Sequence, residues 1–196
     1  EKVAPFEGNE YTAFGSAIHD VWEKKLLKEE INEKEVFQIG FDKRLEKLLE
    51  KNIEVNQNNI KDMRTAGPQI LEEIEGALSD YFGDYEVFSS EEMLYVPIEN
   101  FNIYFKGFVD AVVKIGDTYH LFDWKTCSWG WDSRKKSEKL VTYQLTLYKH
   151  FFCQKHKIDP KNVETHFALL KRTAKKDRVE IFRVTSGPKK TENALK

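Results

Sequence analysis

Phe105-Lys-Gly-Phe-Val-Asp110-Ala-Val-Val-Lys-Ile115-Gly-Asp-Thr-Tyr-His120-Leu-Phe-Asp123-Trp-Lys125-Thr126 holds two runs rich in β-branched and aromatic residues, joined at Gly116-Asp117. Such runs around a two-residue glycine-containing link read as a β-hairpin. Ile115 then pairs with Thr118, and counting back along both strands sets Asp110 opposite Asp123. Directly opposed side chains in an antiparallel pair have Cβ atoms roughly 5 Å apart, where like charges destabilise the sheet. A divalent cation offsets that repulsion most simply. Lys125 lies two residues beyond Asp123 and so shares its face. Two acids and a lysine on one pleated surface outline a metal-dependent phosphodiesterase site.

The alternative is an exposed hairpin whose charges face water, and it predicts polar neighbours. Instead Phe108, Val112 and Leu121 share the face of the acids, while Val109, Ala111, Val113 and Phe122 fill the other. Strands apolar on both sides are interior strands. The register depends on the turn: an odd-length loop without a compensating bulge separates the two acids.

Gly107-Phe-Val-Asp110, then Asp123-Trp-Lys125-Thr126, then Gln144-Leu-Thr-Leu-Tyr148 resembles the PD-(D/E)XK nuclease superfamily, and within it the RecB-like exonucleases. Gly15-Ser-Ala-Ile-His19 is similar to the extra histidine motif of that group. Any one block is weak, whereas four in order are specific. The resemblance implies an α/β fold with a restriction-endonuclease-like core, a central mixed β-sheet flanked by helices. It also implies Mg²⁺ or Mn²⁺ held by His19, Asp110, Asp123 and the main-chain carbonyl of Trp124, with Lys125 positioning the attacking water. Asp123-Trp-Lys-Thr-Cys-Ser-Trp-Gly-Trp-Asp132 and Leu169-Leu-Lys-Arg-Thr173 resemble phage-encoded members acting in DNA replication or recombination.

These residue types suit the chemistry. Phosphodiester hydrolysis needs charge stabilised on the non-bridging oxygens, a hydroxide formed near neutral pH and support for the departing alkoxide. Hard oxygen ligands suit Mg²⁺, and an imidazole shifts the set toward Mn²⁺. His19 lies at the edge of the helical stripe Phe14, Ile18, Val21, Trp22 and Leu26, the ordinary place of a core-boundary histidine, and the resemblance makes it a ligand. Gln144 and Tyr148 are one turn apart beside the stripe Leu140, Tyr143, Leu147 and Phe151. The resemblance sends Gln144 to substrate or a ligand water with Tyr148 supporting it, the alternative for Tyr148 being a core position. A further acid precedes G-x-x-D in this superfamily, and the candidates are Glu91 and Glu92, which alternation places on opposite faces. Glu91 matches better, with surface solvation the alternative for both.

The chain has 196 residues, 40% of them hydrophobic, which suits one nuclease domain over residues 1–196 with a helical part over about 10–82 and a sheet and catalytic core over about 85–185. No apolar run reaches the roughly 20 residues that span a bilayer, so a cytoplasmic protein without a membrane partner is expected, in the host cytoplasm for a phage gene. The net charge of −2 is unlike that of a DNA-coating protein. Basic clusters do occur: Arg134-Lys135-Lys136 with Lys139, and Lys171-Arg172 with Lys175, Lys176 and Arg178. They track a phosphate backbone or are solvated loops. Trp129 and Trp131 either stack unpaired bases or plug the core. Two cysteines, Cys127 and Cys153, cannot supply the four thiolates of the iron–sulfur cluster found in some relatives, so none is expected.

The combined expectation is a metal-dependent DNA exonuclease favouring single-stranded ends, working with replication or recombination proteins. A structure-specific endonuclease and a non-catalytic nucleic-acid-binding module are the alternatives. Helices are expected over Thr12 to Glu29, Phe41 to Lys51 and Ile60 to Tyr81, with Pro68 kinking or dividing the third. A turn is expected at Asn100 and another at Asp177, between strands His166 to Leu170 and Val179 to Val184, with a helix over Ser137 to Lys155.

Overall fold

A computed structural model describes residues 8–98 and 102–196, and the turn expected at Asn100 lies outside them. The N-terminal part folds as α1 (Glu10–Leu26), α2 (Glu33–Glu50) and α3 (Gln57–Phe82). Each opens on an asparagine, Asn9, Asn32 or Asn56, whose side chain accepts backbone N–H groups of the first turn. Such a cap contributes about 1 kcal/mol relative to alanine. Asn32 explains why α2 begins at Glu33, well before the segment expected from hydrophobic spacing.

Pro68 does not divide α3, which runs unbroken from Gln57 to Phe82. Proline leaves the carbonyl four residues earlier without its helical partner. That carbonyl is Arg64, and the side-chain amide of Gln38 on α2 donates to it at 3.4 Å. A tertiary contact thus supplies what the local sequence removes. Beside it, Gly67 lets α2 approach closely: a Cβ there would lie 2.2 Å from Cζ of the fully buried Phe37. Gly67→Ala is expected to destabilise the protein by about 1–3 kcal/mol through overpacking, read as a lower urea midpoint at unchanged m-value.

The sheet comprises β1 (Glu86–Pro97), β2 (Tyr104–Ile115), β3 (Thr118–Cys127), β4 (Val163–Lys171) and β5 (Val179–Val184), in spatial order β1-β2-β3-β4-β5. β3 and β4 are parallel and the other neighbours antiparallel, so the sheet is mixed as expected. The short α4 (Ser133–Ser137) and the longer α5 (Lys139–His156) make the crossover from β3 to β4, and α6 (Pro188–Ala194) follows β5. Asp177 sits at positive φ before β5, as its turn role requires.

Two hydrophobic clusters cover the two faces. Helices α1 to α3 bury Phe14, Ile18, Trp22, Phe37 and Met63 against Ala111, Val113, Phe122 and Trp124. On the other face α5 buries Leu145, Tyr148, Phe151 and Phe152 against Val109, Val112, Leu121 and Phe167. Each fully buried side chain of this size contributes about 1.5–3 kcal/mol. The buried stripe of α5 is rotated from the expected one, leaving Leu140 exposed and Tyr148 in the core. Val109 packs with Val112 rather than with Ala111 and Val113, so alternation along β2 breaks at Asp110. Phe108 is also not interior, being 42% exposed.

Candidate active site

The hairpin register is as the sequence indicates, Ile115 with Thr118 and onward to Ala111 with Phe122. There the ladder between β2 and β3 stops, one pair before the acids would meet. Both strands continue with other partners: β2 stays paired with β1 as far as Tyr104 with Pro97, and β3 stays with β4 as far as Cys127 with Lys171. The sheet therefore forks, and Asp110 and Asp123 stand at the crotch. Asp110 does not face Asp123 as a ladder pair, because its Oδ2 accepts the backbone N–H of Trp124 at 2.7 Å. That bond ties the two strands where their ladder ends.

Helix α1 closes the fork on one side. Gly15 permits this, since a Cβ there would lie 2.9 Å from Oγ1 of Thr126 on β3. One turn later His19 Nδ1 lies 3.7 Å from Asp110 Oδ1, and the His19 ring also faces the main-chain carbonyl of Trp124. Helix α5 closes the other side. Gly107 leaves room for Tyr148, its Cβ position lying 2.9 Å from Cε1 of that ring. The glycine of G-x-x-D and the tyrosine of Q-x-x-x-Y are thus packing partners. Gln144 Nε2 donates to Asp123 Oδ1 at 2.8 Å and lies 3.0 Å from the Tyr148 hydroxyl. In this arrangement Gln144 orients a carboxylate rather than reaching outward. Lys125 Nζ lies 2.7 Å from Asp123 Oδ2.

β1 supplies Glu91, whose backbone has φ of 49°. A non-glycine residue in that region within a strand is held there at a cost of order 1–3 kcal/mol. The twist turns its carboxylate into a group with His19 and Asp110 whose ligand atoms all lie within 4.8 Å of one another. Glu92 faces the opposite side and pairs with Lys155 at 2.6 Å and His156 at 2.7 Å, which separates the two candidates.

Burial dominates the electrostatics. It raises Asp110 to about 7, against the Trp124 N–H that stabilises the charged form, with nearby Glu91 raising it further. Burial and then the charge of Asp110 raise Asp123 to about 6, while Lys125 opposes. Glu91 is pushed up, and His19 is pushed down by burial. Crowded carboxylates that hold protons near neutrality, beside a neutral imidazole and a carbonyl, are a donor set awaiting a cation. Three carboxylates with one nitrogen suit Mg²⁺ or Mn²⁺.

The sequence matches the profile of the PD-(D/E)XK nuclease superfamily over residues 2–195. The chain belongs to that superfamily. Among solved structures it is similar to a "Putative exonuclease" from Eubacterium rectale, with 13% identity and a TM-score of 0.57 over 98% of this chain, which spans 64% of that one. At that identity the likeness concerns the fold. A second structure, SSO0001, has 13% identity and a TM-score of 0.39, covering 91% of this chain and 70% of that one. No curated protein matches the sequence. Members of this superfamily use divalent metal ions, and the described residues of this chain include no helix long and apolar enough to cross a membrane.

The remaining candidates lie on the loop after β3, on α4 and α5, and at the ends of β3 and β4. Trp131 packs against Phe167 and Phe182 beneath Lys135, so it is the plug, whereas Trp129 is 69% exposed. Arg134 is exposed on α4. Lys171 lies 3.8 Å from Glu180, and Arg172 donates to Ser128 at 3.0 Å with its guanidinium over the Tyr11 ring, so both also brace the loop beyond β3. Cys127 and Cys153 are free thiols, both pushed up to about 11 by burial.

One feature is absent from the sequence reading. Met93, Tyr95, Tyr104 and Phe108 form an exposed row along the β1–β2 arm, with Tyr95 and Tyr104 stacked at 4.7 Å and Lys106 over the Phe108 ring. The signal was available as parity, because these positions alternate in step with Glu91 and Asp110.

Proposed function

We propose that this nuclease is a RecB-like exonuclease that uses Mg²⁺ or Mn²⁺ to remove nucleotides from single-stranded DNA ends, as one nuclease domain. The observation that carries the reading is the fork, which gathers His19, Glu91, Asp110, Asp123 and Lys125 where two strands part. His19, Asp110, Asp123, the Trp124 carbonyl and Glu91 would hold the metal. Bound there, the ion would supply positive charge for the phosphoryl oxygens and make water more acidic. Lys125 holds the attacking water in line with phosphorus and adds positive charge, Gln144 fixes Asp123, and Tyr148 holds Gln144. No step here calls on an iron–sulfur cluster.

Single strands are favoured by the row of Tyr95, Tyr104 and Phe108, which leads to the acids along one face. Exposed aromatics there offer stacking surfaces that a base-paired duplex cannot use. Trp129 with Arg134, Lys171 and Arg172 extends the track on the opposite arm. The chemistry suits end processing in replication, recombination or repair alongside the proteins of those pathways, in the cytoplasm of a phage host or of a cell.

End-labelled linear single strands and closed circular single strands, incubated with Mn²⁺ or with EDTA, test the reading. Linear strands are expected to shorten from their ends only with metal, while circles persist. Cut circles would overturn end dependence, and intact linear strands with Mn²⁺ would overturn hydrolysis itself. In the same assay Tyr95→Ala with Tyr104→Ala is expected to raise KM for single strands roughly 10- to 100-fold while leaving kcat near its original value.

A further inference from the structure

A second group of ligating side chains lies away from the fork. His120 on β3 and Glu164 on β4 are ladder neighbours, and His166 follows Glu164 by two residues, so all three point to the face covered by α3. His120 is three residues before Asp123 and so points to the opposite face from that acid. His120 Nδ1 lies 3.1 Å from His166 Nε2, and Glu164 Oε2 lies 3.7 Å and 3.9 Å from those nitrogens. Both histidines are buried, His166 almost completely, under the rings of Tyr81 and Phe82 at the end of α3.

We propose that His120, Glu164 and His166 form a transition-metal site of the Zn²⁺ class, distinct from the catalytic centre. Bonds of about 2.0–2.1 Å at tetrahedral angles need ligand atoms about 3.3 Å apart. The three observed separations bracket that value, so shifts of a few tenths of an ångström seat the ion. Two imidazoles and one carboxylate suit zinc rather than the magnesium expected of an oxygen-rich set. Arg183 is the nearest cation, and it takes the other carboxylate oxygen: its Nη1 lies 2.9 Å from Glu164 Oε1. Oε2 is left facing the imidazole pair, and a ligating carboxylate held from behind in this way is the usual outer-shell arrangement. An ion here ties β3 to β4 beneath the end of α3, without taking part in phosphodiester chemistry.

Zinc titration of EDTA-stripped protein against a chromophoric chelator tests the site, with Asp110→Asn as background to weaken the catalytic centre, so that loss of the signal in the His120 and Glu164 variants locates it. One tight equivalent of Zn²⁺ is expected in that background, together with intense visible d–d bands on Co²⁺ substitution. Saturation a hundredfold above Kd is expected to raise Tm by about 5–10 °C. Glu164→Gln, at a partly exposed position that leaves packing intact, and His120→Asn are each expected to weaken binding at least about 100-fold, and Arg183→Gln about 10-fold or more. No bound equivalent in the Asp110→Asn protein, or unchanged affinity in a folded Glu164→Gln variant, would overturn the site and leave the pair as a plain histidine–histidine hydrogen bond. Neither result bears on DNA cleavage, which the linear-strand assay reads separately.

Discussion

Asp123→Asn and Lys125→Ala are each expected to reduce metal-dependent DNA cleavage by at least about 10³-fold, with far-UV circular dichroism unchanged. The size follows from how many contacts converge on Asp123. Its carboxylate is 3% exposed and accepts from Gln144 on one oxygen while Lys125 approaches the other. An asparagine keeps the shape but halves the oxygen ligands and removes the charge that any divalent ion needs. Lys125→Ala leaves the acids in place and removes only the ammonium beside Asp123, so metal binding is expected to survive in that variant. Isothermal titration with Mn²⁺ separates the two: Asp123→Asn loses affinity and Lys125→Ala keeps it. Cleavage within tenfold of the parent in both variants would remove these residues from the chemistry.

The second large effect concerns stability, and its direction is unusual. Asp110 and Asp123 are raised to about 7 and about 6 from an ordinary value near 3.8. The folded protein therefore binds more protons than the unfolded chain between about pH 4 and pH 7. That contribution to stability is fully present below about pH 4 and is lost as pH rises through the folded values. Metal-free protein is expected to lose stability from pH 5 to pH 8 at this site. Asp110→Asn replaces the ionising group with a neutral one and is expected to stabilise the EDTA-treated protein at pH 8 by about 2–4 kcal/mol. Mg²⁺ or Mn²⁺ is expected to stabilise the parent more at pH 8 than at pH 5.5, because binding displaces protons from the acids. Urea melts at three pH values, with and without metal, check both signs. Higher metal-free stability at pH 8 than at pH 5.5 would contradict the burial of these acids.

The parts of the fold legible in sequence were those fixed by local chemistry. Gly116-Asp117 and the flanking runs set the β2–β3 register, and the four motif blocks placed the two acids, the lysine, His19 and Gln144 in one neighbourhood. What escaped was decided by distant partners. Pro68 spoke for a broken helix, and only Gln38, brought in by α2, restores the bond at Arg64. Phe108 read as interior because its row was counted as core, whereas its ring stays largely exposed beside Lys106. The end of the β2–β3 ladder has no local signature, since each strand keeps its outer neighbour, β1 or β4, and only the ladder between them stops. His120 and His166 sit 46 residues apart in apolar runs, where each alone reads as a buried core residue. Gln144 was read as reaching substrate or a ligand water, whereas its side-chain amide donates to Asp123.

The fork has a mechanical meaning as well as a chemical one. Its side chains are delivered by two hydrophobic clusters on opposite faces of the sheet: α1 carries His19 with one, α5 carries Gln144 with the other, and the hydrogen bond from Trp124 to Asp110 crosses the seam. Neither cluster contains the whole site, so ligand spacing records how the two layers sit against each other. Slippage of either layer by the length of a metal–ligand bond would silence the chemistry while leaving nearly all of the buried surface in place. The site is thus a gauge of how the two layers are aligned.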